Sequence, residues 1–466
     1  MSRKRSYVNE EISFGQLVRL TEDKNSRLHF IGIGGVSMYS LARIALNEGL
    51  IVSGSDREAS ERTVALSDLG ARVFLGHSAD NITEAELVIY THAISADNPE
   101  LVRAKELKIP CVTRAEYMGA LMMKYRSRIG VSGTHGKSTV TAMLDCIFCC
   151  NDMMPTVLSG ANLSSGEPFR IGEKELMIYE ACEYKDSFLN FFPTVAIALN
   201  LELDHPDYFA DIDALKESFV KAMSRATEFV LICGDDENLS SVSDRIRARV
   251  LTFGMSDAND YRYEIVGYKE IGFQFAVFKN RSFVGEFELN IPGEFNVANA
   301  TAAIVTALEF GIDAVLIAER LASFQGIERR LQYIGKRQGR AVYYDYAHHP
   351  TEIAASVNAL KMITRCPLTV IFKPHTFSRT KALWDKMCAA LSLADYLILT
   401  DIYPARETPI EGITSKRLAE QIGNGAIYCP EEDVLIALDI YTRGAVVIMG
   451  AGDLLDIKNK VINEFE

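Results

Sequence analysis

The stretch GVSGTHGKST, Gly130 to Thr139, decides the fold of the middle of this chain. It follows an apolar segment and precedes a helical pattern, which is the order of a phosphate-binding loop. In the Walker pattern G-x-x-x-x-G-K-[ST], the first glycine would stand where this chain has Val131, and the nearest glycine before Gly136 is Gly133. The complete order of strand, glycines, lysine, hydroxyls and helix predicts a nucleotide-binding loop shorter than the Walker loop.

The loop carries the groups that a nucleotide needs. Backbone N–H groups from Gly133 to Thr139 are expected to point at a phosphate, and a helix starting near Ser138 adds the positive end of its dipole. Lys137 would place a cation on the β- and γ-phosphates, and Ser138 or Thr139 would offer a hydroxyl to Mg²⁺. The alternative is a glycine-rich turn with a surface lysine. If the tripeptide G-K-S stood alone, this alternative would be favoured.

Composition limits the class of protein. The 466 residues suffice for about three domains, and 48% hydrophobic with 24% charged residues is typical of a globular protein. A net charge of -13 argues against a nucleic-acid partner. The sequence shows no signal peptide and no apolar run of membrane-spanning length, and nine scattered cysteines do not form a disulfide framework. We expect a cytoplasmic protein without membrane insertion, as a monomer or a weak homodimer.

Apolar strands followed by a turn and a helix occur in three successive parts of the chain. This alternation predicts parallel sheets whose ligands gather beyond the carboxyl ends of the strands. We therefore predict an α/β protein of three domains: a Rossmann-like N-terminal domain (1–125), a central P-loop ATPase-type domain with a mainly parallel sheet (126–330) and a Rossmann-like C-terminal domain (331–466). The alternation in FQFAVFKNRSFVGEFEL, around Lys279 and Asn280, predicts a hairpin inside the central domain.

Two further segments end in residues suited to metal binding. ELMIYE ends in Glu180, and TVAIALNLELDH ends in Asp204 and His205. A parallel sheet would bring these ends close to the loop, where Glu180 binds Mg²⁺ and His205 binds the same ion or a second one. Taken singly, a helix-capping glutamate and a solvated histidine are equally good interpretations. Together with the loop, they indicate phosphoryl transfer with metal clamping of charge.

The segments GTHGKST, EACEYKDSFL, NLELDHPDYF, GEFNVANATAA, GIERRLQ, DYAHHPTE and PHTFSRT, in this order, resemble the Mur ligase family over nearly the whole chain. The resemblance implies an ATP-dependent ligase of peptidoglycan precursor synthesis, with ATP as co-substrate and Mg²⁺ as cofactor. An acyl phosphate would form on the lactyl carboxylate of UDP-N-acetylmuramate, and the amino group of L-alanine would attack it. The nearest alternative is a relative of cell-wall recycling that attaches a whole tripeptide to the same sugar.

The resemblance also implies residue roles, with the UDP-sugar in the first domain, ATP in the second and alanine in the third. The expected ATP site consists of Gly133, Thr134, His135, Gly136, Lys137, Ser138, Thr139, Asn296, Asn299, Arg330 and Asp345. Expected catalytic residues are Lys137, Glu180 and His205, and expected metal ligands are Ser138, Glu180 and His205. His375 and Arg379 are expected to face the amino acid, where a guanidinium pairs with a carboxylate. His92 and Thr376 depart from the family pattern and leave the sugar and carboxylate contacts open.

The segment GIGGVS near the N-terminus has two interpretations. Gly32, Gly34 and Ser37 nearly fit G-x-G-x-x-G, and Asp56 ends the next strand, so an NAD-dependent oxidoreductase is the alternative of another class. The same turn and helix can hold the diphosphate of a UDP-sugar, as the resemblance implies. The expected UDP-sugar residues are Gly32, Gly34, Gly35, Asp56 and His77.

The expected ATP ligands lie in two domains. Lys137 and Asn296 belong to the central domain, and Asp345 and Arg379 belong to the last one. We therefore expect domain closure to complete the site, with a hinge near residues 326–331.

Overall fold

Three β-sheets follow one another along the chain in this computed structural model, which describes residues 12–82, 84–149, 153–205 and 208–462. Each sheet packs against helices from its own part of the chain. In those described residues, no helix is both long and apolar enough to cross a membrane. Short 3₁₀ turns lie at Ala79–Ile82, Met122–Lys124, Tyr184–Asn190, Ser243–Arg245 and Glu431–Asp433.

The first part of the chain forms a sheet of parallel strands in the order β3-β2-β1-β4-β5. Its elements are α1 (Phe14–Glu22), β1 (Arg27–Ile31), α2 (Val36–Asn47), β2 (Ile51–Asp56), α3 (Glu61–Asp68), β3 (Arg72–Leu75), β4 (Leu87–Tyr90), α4 (Pro99–Glu106), β5 (Cys111–Thr113) and α5 (Arg114–Leu121). This is the strand order of a Rossmann-like unit, whose ligand crevice lies where the order reverses, between β1 and β4.

The central part forms a sheet in the order β15-β14-β13-β12-β11-β10-β6-β9-β7-β8. Its elements are β6 (Ser127–Ser132), α6 (Lys137–Phe148), β7 (Pro155–Leu158), β8 (Phe169–Arg170), β9 (Glu173–Glu180), β10 (Val195–Ala198), α7 (Ile212–Met223), β11 (Phe229–Cys233), α8 (Glu237–Ser240), β12 (Val250–Gly254), β13 (Tyr261–Tyr268), β14 (Phe273–Lys279), β15 (Ser282–Leu289), α9 (Phe295–Glu309) and α10 (Ala314–Ala322). The strands from β12 to β7 pair in parallel, and antiparallel pairs occur at both edges.

Strand β6 lies between β10 and β9, so the loop that follows it emerges between the ends of these two strands. The predicted hairpin is confirmed, since β14 and β15 pair antiparallel. Asn280 and Arg281 both have positive φ, as a two-residue hairpin turn requires. One expectation differs: β10 ends at Ala198, and an irregular segment carries the chain on to Asp204 and His205.

The last part forms a sheet in the order β16-β17-β21-β18-β19-β20, parallel except at β16. Its elements are β16 (Gln332–Arg337), β17 (Arg340–Asp345), α11 (Pro350–Thr364), β18 (Leu368–Phe372), α12 (Phe377–Ala382), α13 (Trp384–Leu391), β19 (Tyr396–Leu399), α14 (Ser415–Ile422), β20 (Ile427–Tyr428), α15 (Val434–Tyr441), β21 (Ala445–Met449) and α16 (Leu455–Ile462). Helices α11, α13 and α14 pack in one core cluster, and α15 and α16 pack in another. The predicted α/β class with Rossmann-like outer units is thus confirmed.

Candidate nucleotide and active site

The loop after β6 depends on two glycines. Gly133 has φ +135° and Gly136 has φ +87°, a region that residues with a Cβ rarely adopt. A Cβ at Gly136 would lie 2.6 Å from Oδ1 of Asn299 on α9. Gly136 is also the N-cap of α6, which begins at Lys137, one residue before the predicted start. The short loop therefore fits only because glycine stands at its turning points.

Asn200 holds the loop from the neighbouring chain segment. The N–H of Thr134 donates to the Asn200 carbonyl (3.2 Å), and the N–H of His135 donates to Asn200 Oδ1 (2.8 Å). These two N–H groups, which were expected to point at a phosphate, therefore bind the protein itself. The first N–H groups of a helix have no acceptor within it, so those of Lys137 and Ser138 are the donors that suit an anion.

Lys137 lies at the end of the loop and pairs with Glu183, a carboxylate that was not among the predicted site residues. Its Nζ donates to the Thr134 carbonyl (3.2 Å) and lies 3.2 Å from Glu183 Oε2. Burial by itself would lower the pKa of Lys137, but the charge of Glu183 outweighs it and raises that pKa, so the ammonium stays charged. Glu183 is the second acid of the E-A-x-E segment, and this spacing was the available signal for it.

The three predicted metal ligands lie around this lysine. Glu180 ends β9 and accepts hydrogen bonds from the Gly160 N–H and the Ser159 hydroxyl. Burial lowers the pKa of His205, which keeps its imidazole neutral and able to bind a metal. Ser138 is buried in the first turn of α6. A hydroxyl, a carboxylate and a neutral imidazole form a donor set that suits a divalent cation.

A cavity of about 270 Å³ lies between the central and last parts of the chain. It is lined by seven of the predicted ATP residues: His135, Gly136, Thr139, Asn296, Asn299, Arg330 and Asp345. Apolar side chains that the sequence motifs did not indicate also line it, among them Phe253, Ile291, Phe295 and Leu331. The cavity thus combines an apolar surface, which suits a nucleotide base, with the start of α6, which suits phosphates.

Asp345, the last residue of β17, supplies an unsatisfied acceptor to this cavity. Its side chain is buried, and its Oδ1 accepts from the Ala347 N–H at 3.3 Å. Its Oδ2 has no hydrogen-bond partner among the residues that the structure describes. Burial raises the pKa of Asp345 to about 6. A buried carboxylate oxygen without a donor is costly, and a ligand hydroxyl would satisfy it.

The central and last parts of the chain touch through polar contacts beside this cavity. Thr351 Oγ1 donates to Glu202 Oε2 (2.6 Å), and His135 Nδ1 lies 3.0 Å from Glu352 Oε1. Both walls of the cavity are therefore in place, as expected for a closed arrangement. The expected hinge at residues 326–331 contains three residues with positive φ and remains a prediction.

Arg379 makes a third contact between these parts. Its guanidinium donates to Asp204 Oδ1 at 3.0 Å and lies 2.9 Å from His375 Nδ1. Burial would raise the pKa of Asp204, but the charge of Arg379 holds it well below its usual range. The group expected to grip the amino acid is thus bound to a protein carboxylate, because a guanidinium this deeply buried needs a charged partner. His375 stacks on Tyr403, with ring centroids 5.6 Å apart.

A second cavity, of about 360 Å³, has walls from all three parts of the chain. Glu180 lines it, together with His92, the residue that departs from the family pattern. Three basic residues also line it, namely Arg114, Lys185 and Arg406. A cavity with this charge beside Glu180, a predicted metal ligand, suits an anionic substrate.

The residues expected to bind the UDP-sugar lie outside that lining. The Gly34 N–H donates to Asp56 Oδ2 at 2.8 Å, so Asp56 closes the glycine turn instead of facing a ribose, which disfavours the NAD alternative. Gly32 has φ +80°, and Gly35 is the N-cap of α2. His77 Nδ1 lies 3.1 Å from Glu100 Oε2, because that fully buried carboxylate needs partners.

A phosphate-binding loop facing a cavity between two α/β units defines a nucleotide-binding enzyme. Family models match three consecutive ranges, described as the Mur ligase family catalytic domain (27–126), the Mur ligase middle domain (131–307) and the Mur ligase glutamate ligase domain (329–452). The chain therefore belongs to the Mur ligase family.

Individual relatives agree with this assignment. The chain is 41% identical to a UDP-N-acetylmuramate–L-alanine ligase of Clostridium kluyveri, over 95% of this chain and 99% of that protein. It is 40% identical to the enzyme of the same name from Acetivibrio thermocellus, over 95% and 97%. The crystal structure of a UDP-N-acetylmuramate-alanine ligase from Thermotoga maritima matches with a TM-score of 0.79 and 28% identity, over 94% and 98%. A murein peptide ligase from Psychrobacter arcticus (TM-score 0.70, 21% identity, 94% and 98%) shares the fold.

Proposed function

We propose that this protein is an ATP-dependent ligase that joins L-alanine to the lactyl carboxylate of UDP-N-acetylmuramate. Relatives with this activity in their names match nearly the whole chain, and the Mur ligase family covers all three sheets. The observation that carries the ATP assignment is the unpaired, buried Oδ2 of Asp345 in a cavity next to the phosphate loop. A ribose hydroxyl has the donor that this oxygen lacks.

In this proposal, the domains at 1–125, 126–330 and 331–466 hold the UDP-sugar, ATP and the amino acid respectively. Asn296 and Asn299 face the base and ribose from α9, and their positions are fixed because Asn299 donates to Asn296 at 3.0 Å. Arg330 reaches the same cavity from the connection between the two sheets. The site of action is the cytoplasm, and the protein is a monomer or a weak homodimer.

Ser138, Glu180 and His205 would hold Mg²⁺, which when bound neutralises phosphate charge. Lys137 adds a fixed cation at the loop, and the start of α6 orients the phosphate oxygens. Positioning of the carboxylate against the phosphate then supplies most of the catalysis. Closure of the last domain over the cavity would exclude water, which protects an acyl phosphate from hydrolysis.

The sugar carboxylate is proposed to lie in the second cavity, where Glu180 and three basic residues meet. His375 and Arg379 remain the proposed amino-acid residues. Because Arg379 binds Asp204, Arg406 is the additional guanidinium that reaches this region from the last domain.

The test is phosphate release by the purified protein with ATP, Mg²⁺ and UDP-N-acetylmuramate. L-alanine, L-serine, glycine and the tripeptide of the recycling reaction are supplied one at a time. We expect the highest kcat/KM with L-alanine. Preferred turnover of the tripeptide would replace this proposal with the recycling activity, and release without any amino acid would show an ATPase.

Lys137→Ala should abolish this turnover, because the lysine stabilises transition-state charge. It should also lower the free energy of unfolding, because Glu183 stays buried without its cation. Circular dichroism checks the fold of the variant. Phosphate release at the wild-type rate would remove the loop from the mechanism.

A further inference from the structure

Three side chains that the proposed reaction does not use as metal ligands meet at the boundary between the central and last domains. His135 belongs to the phosphate loop, Glu202 follows β10, and His349 is the N-cap of α11. One ligand atom from each lies within 4.8 Å of the other two, which is the only such group of histidine, cysteine and acidic residues in the described parts of the chain. We propose that His135, Glu202 and His349 form a site for a zinc-class divalent cation, separate from the Mg²⁺ site.

The separations within this cluster agree with tetrahedral coordination. His135 Nε2 lies 3.7 Å from Glu202 Oε2, and His349 Nδ1 lies 3.6 Å from the same oxygen. Two ligands bound at about 2.1 Å with a tetrahedral angle are about 3.4 Å apart. These two pairs therefore need to close by only a few tenths of an ångström, and one nitrogen of each histidine lies within 4.8 Å of the other.

The state of His135 is the second, independent observation. Its Nε2 is buried and has no hydrogen-bond partner among the described residues, since 3.7 Å to Glu202 is too long for a hydrogen bond. Its Nδ1 lies 3.0 Å from Glu352 Oε1. A carboxylate that holds the far nitrogen of a metal-bound histidine is the usual second layer of a zinc site. This contact orients the ring so that Nε2 faces the cluster.

The chemistry of the donors selects the kind of cation. Two imidazoles and one carboxylate suit Zn²⁺ or Co²⁺, with a fourth position left for water or another ligand. Mg²⁺ prefers a shell of oxygens and retains its waters, so it fits Ser138 and Glu180 better than this cluster. Because Glu202 and His349 come from different domains, a bound cation would hold the closed arrangement together.

A proton competes with the cation for this cluster. Burial alone would lower the pKa of His135, but the charges of Glu352 and Glu202 raise it to about 9. His349 faces the same carboxylates and has a lowered pKa because of burial and the His135 charge, and Arg330 lies 3.5 Å from Glu352.

The experiment titrates the full-length protein with Zn²⁺ alone, in saturating Mg²⁺, against a chromophoric chelator. We expect one tight Zn²⁺ per chain, and a loss of affinity of about 100-fold or more in His349→Gln. His205→Gln is the matched control, because it removes a histidine of the Mg²⁺ site only and should keep the wild-type affinity. Wild-type affinity in His349→Gln, or loss in His205→Gln instead, would overturn the proposal.

Co²⁺ supplies a direct readout of geometry. The Co²⁺-loaded protein should show the intense visible absorption of four-coordinate cobalt, and His349→Gln should abolish it. Glu202→Gln, which preserves shape, serves as a second variant if thermal unfolding shows that His349→Gln is not folded. A weak, six-coordinate spectrum in the wild type would also contradict the assigned site.

Discussion

Gly136→Ala is the substitution whose effect the structure defines best. Two separate penalties act at this position: the backbone has φ +87°, and the new Cβ would lie 2.6 Å from Asn299 Oδ1 and 3.1 Å from Leu199 Cδ1. The first penalty strains the residue itself. The second displaces Asn299, which lines the nucleotide cavity and donates to Asn296.

The magnitudes can be worked out separately. A left-handed conformation costs a residue with a Cβ about 1–2 kcal/mol, and overpacking typically costs about 1–3 kcal/mol. The overlap is relieved when the loop or Asn299 moves, and either movement disturbs the nucleotide cavity. Since about 1.4 kcal/mol corresponds to a factor of ten in an equilibrium constant, the overlap alone should weaken ATP binding about tenfold or more. The strain term should appear in the free energy of unfolding.

Gly311→Ala is the matched control in the same domain. Gly311 has φ +80°, and a Cβ added there would meet no atom of the described residues within 4 Å, so this variant isolates backbone strain from overlap. Isothermal titration with a non-hydrolysable ATP analogue should show reduced affinity for Gly136→Ala and unchanged affinity for Gly311→Ala. Both variants should lose similar stability from strain. Nucleotide affinity within twofold of wild type in Gly136→Ala would refute the reasoning.

Three further predictions concern the same region. The raised pKa of His135 stabilises the folded protein fully below pH 6.5, and this contribution, at most about 3 kcal/mol, is lost as pH rises through about 9. The difference in Tm between wild type and His135→Gln, measured in the presence of a metal chelator, should therefore decrease from pH 6.5 to pH 9.5. A Tm difference that stays constant over this range would contradict the contribution of His135. Arg379→Met should lower the free energy of unfolding in urea by about 3–5 kcal/mol, because Asp204 stays buried and unpaired. Adding Asp204→Asn should restore part of that free energy, and strictly additive effects of the two substitutions would contradict an interaction between the side chains. Glu180→Gln should regain part of its activity at high Mg²⁺, and full activity at low Mg²⁺ would exclude Glu180 from the metal site.

Local patterns were sufficient to predict the α/β class, the hairpin at Asn280 and the short loop at Gly133 to Lys137. These features depend on neighbouring residues: apolar runs, glycines at turning points and a helix that follows directly. Motif order also selected Asn296, Asn299 and Asp345, which the fold brings to one cavity although long stretches of chain separate them.

Only the tertiary structure decided how the charged side chains pair. The sequence contains Asp204 and Arg379 in separate motifs, but nothing local shows that the two meet at 3.0 Å. The same holds for His77, which a buried glutamate engages, and for Glu183, which pairs with Lys137. Periodicity and turn chemistry act over a few residues, whereas a buried charge takes its partner from whichever distant element the packing places beside it.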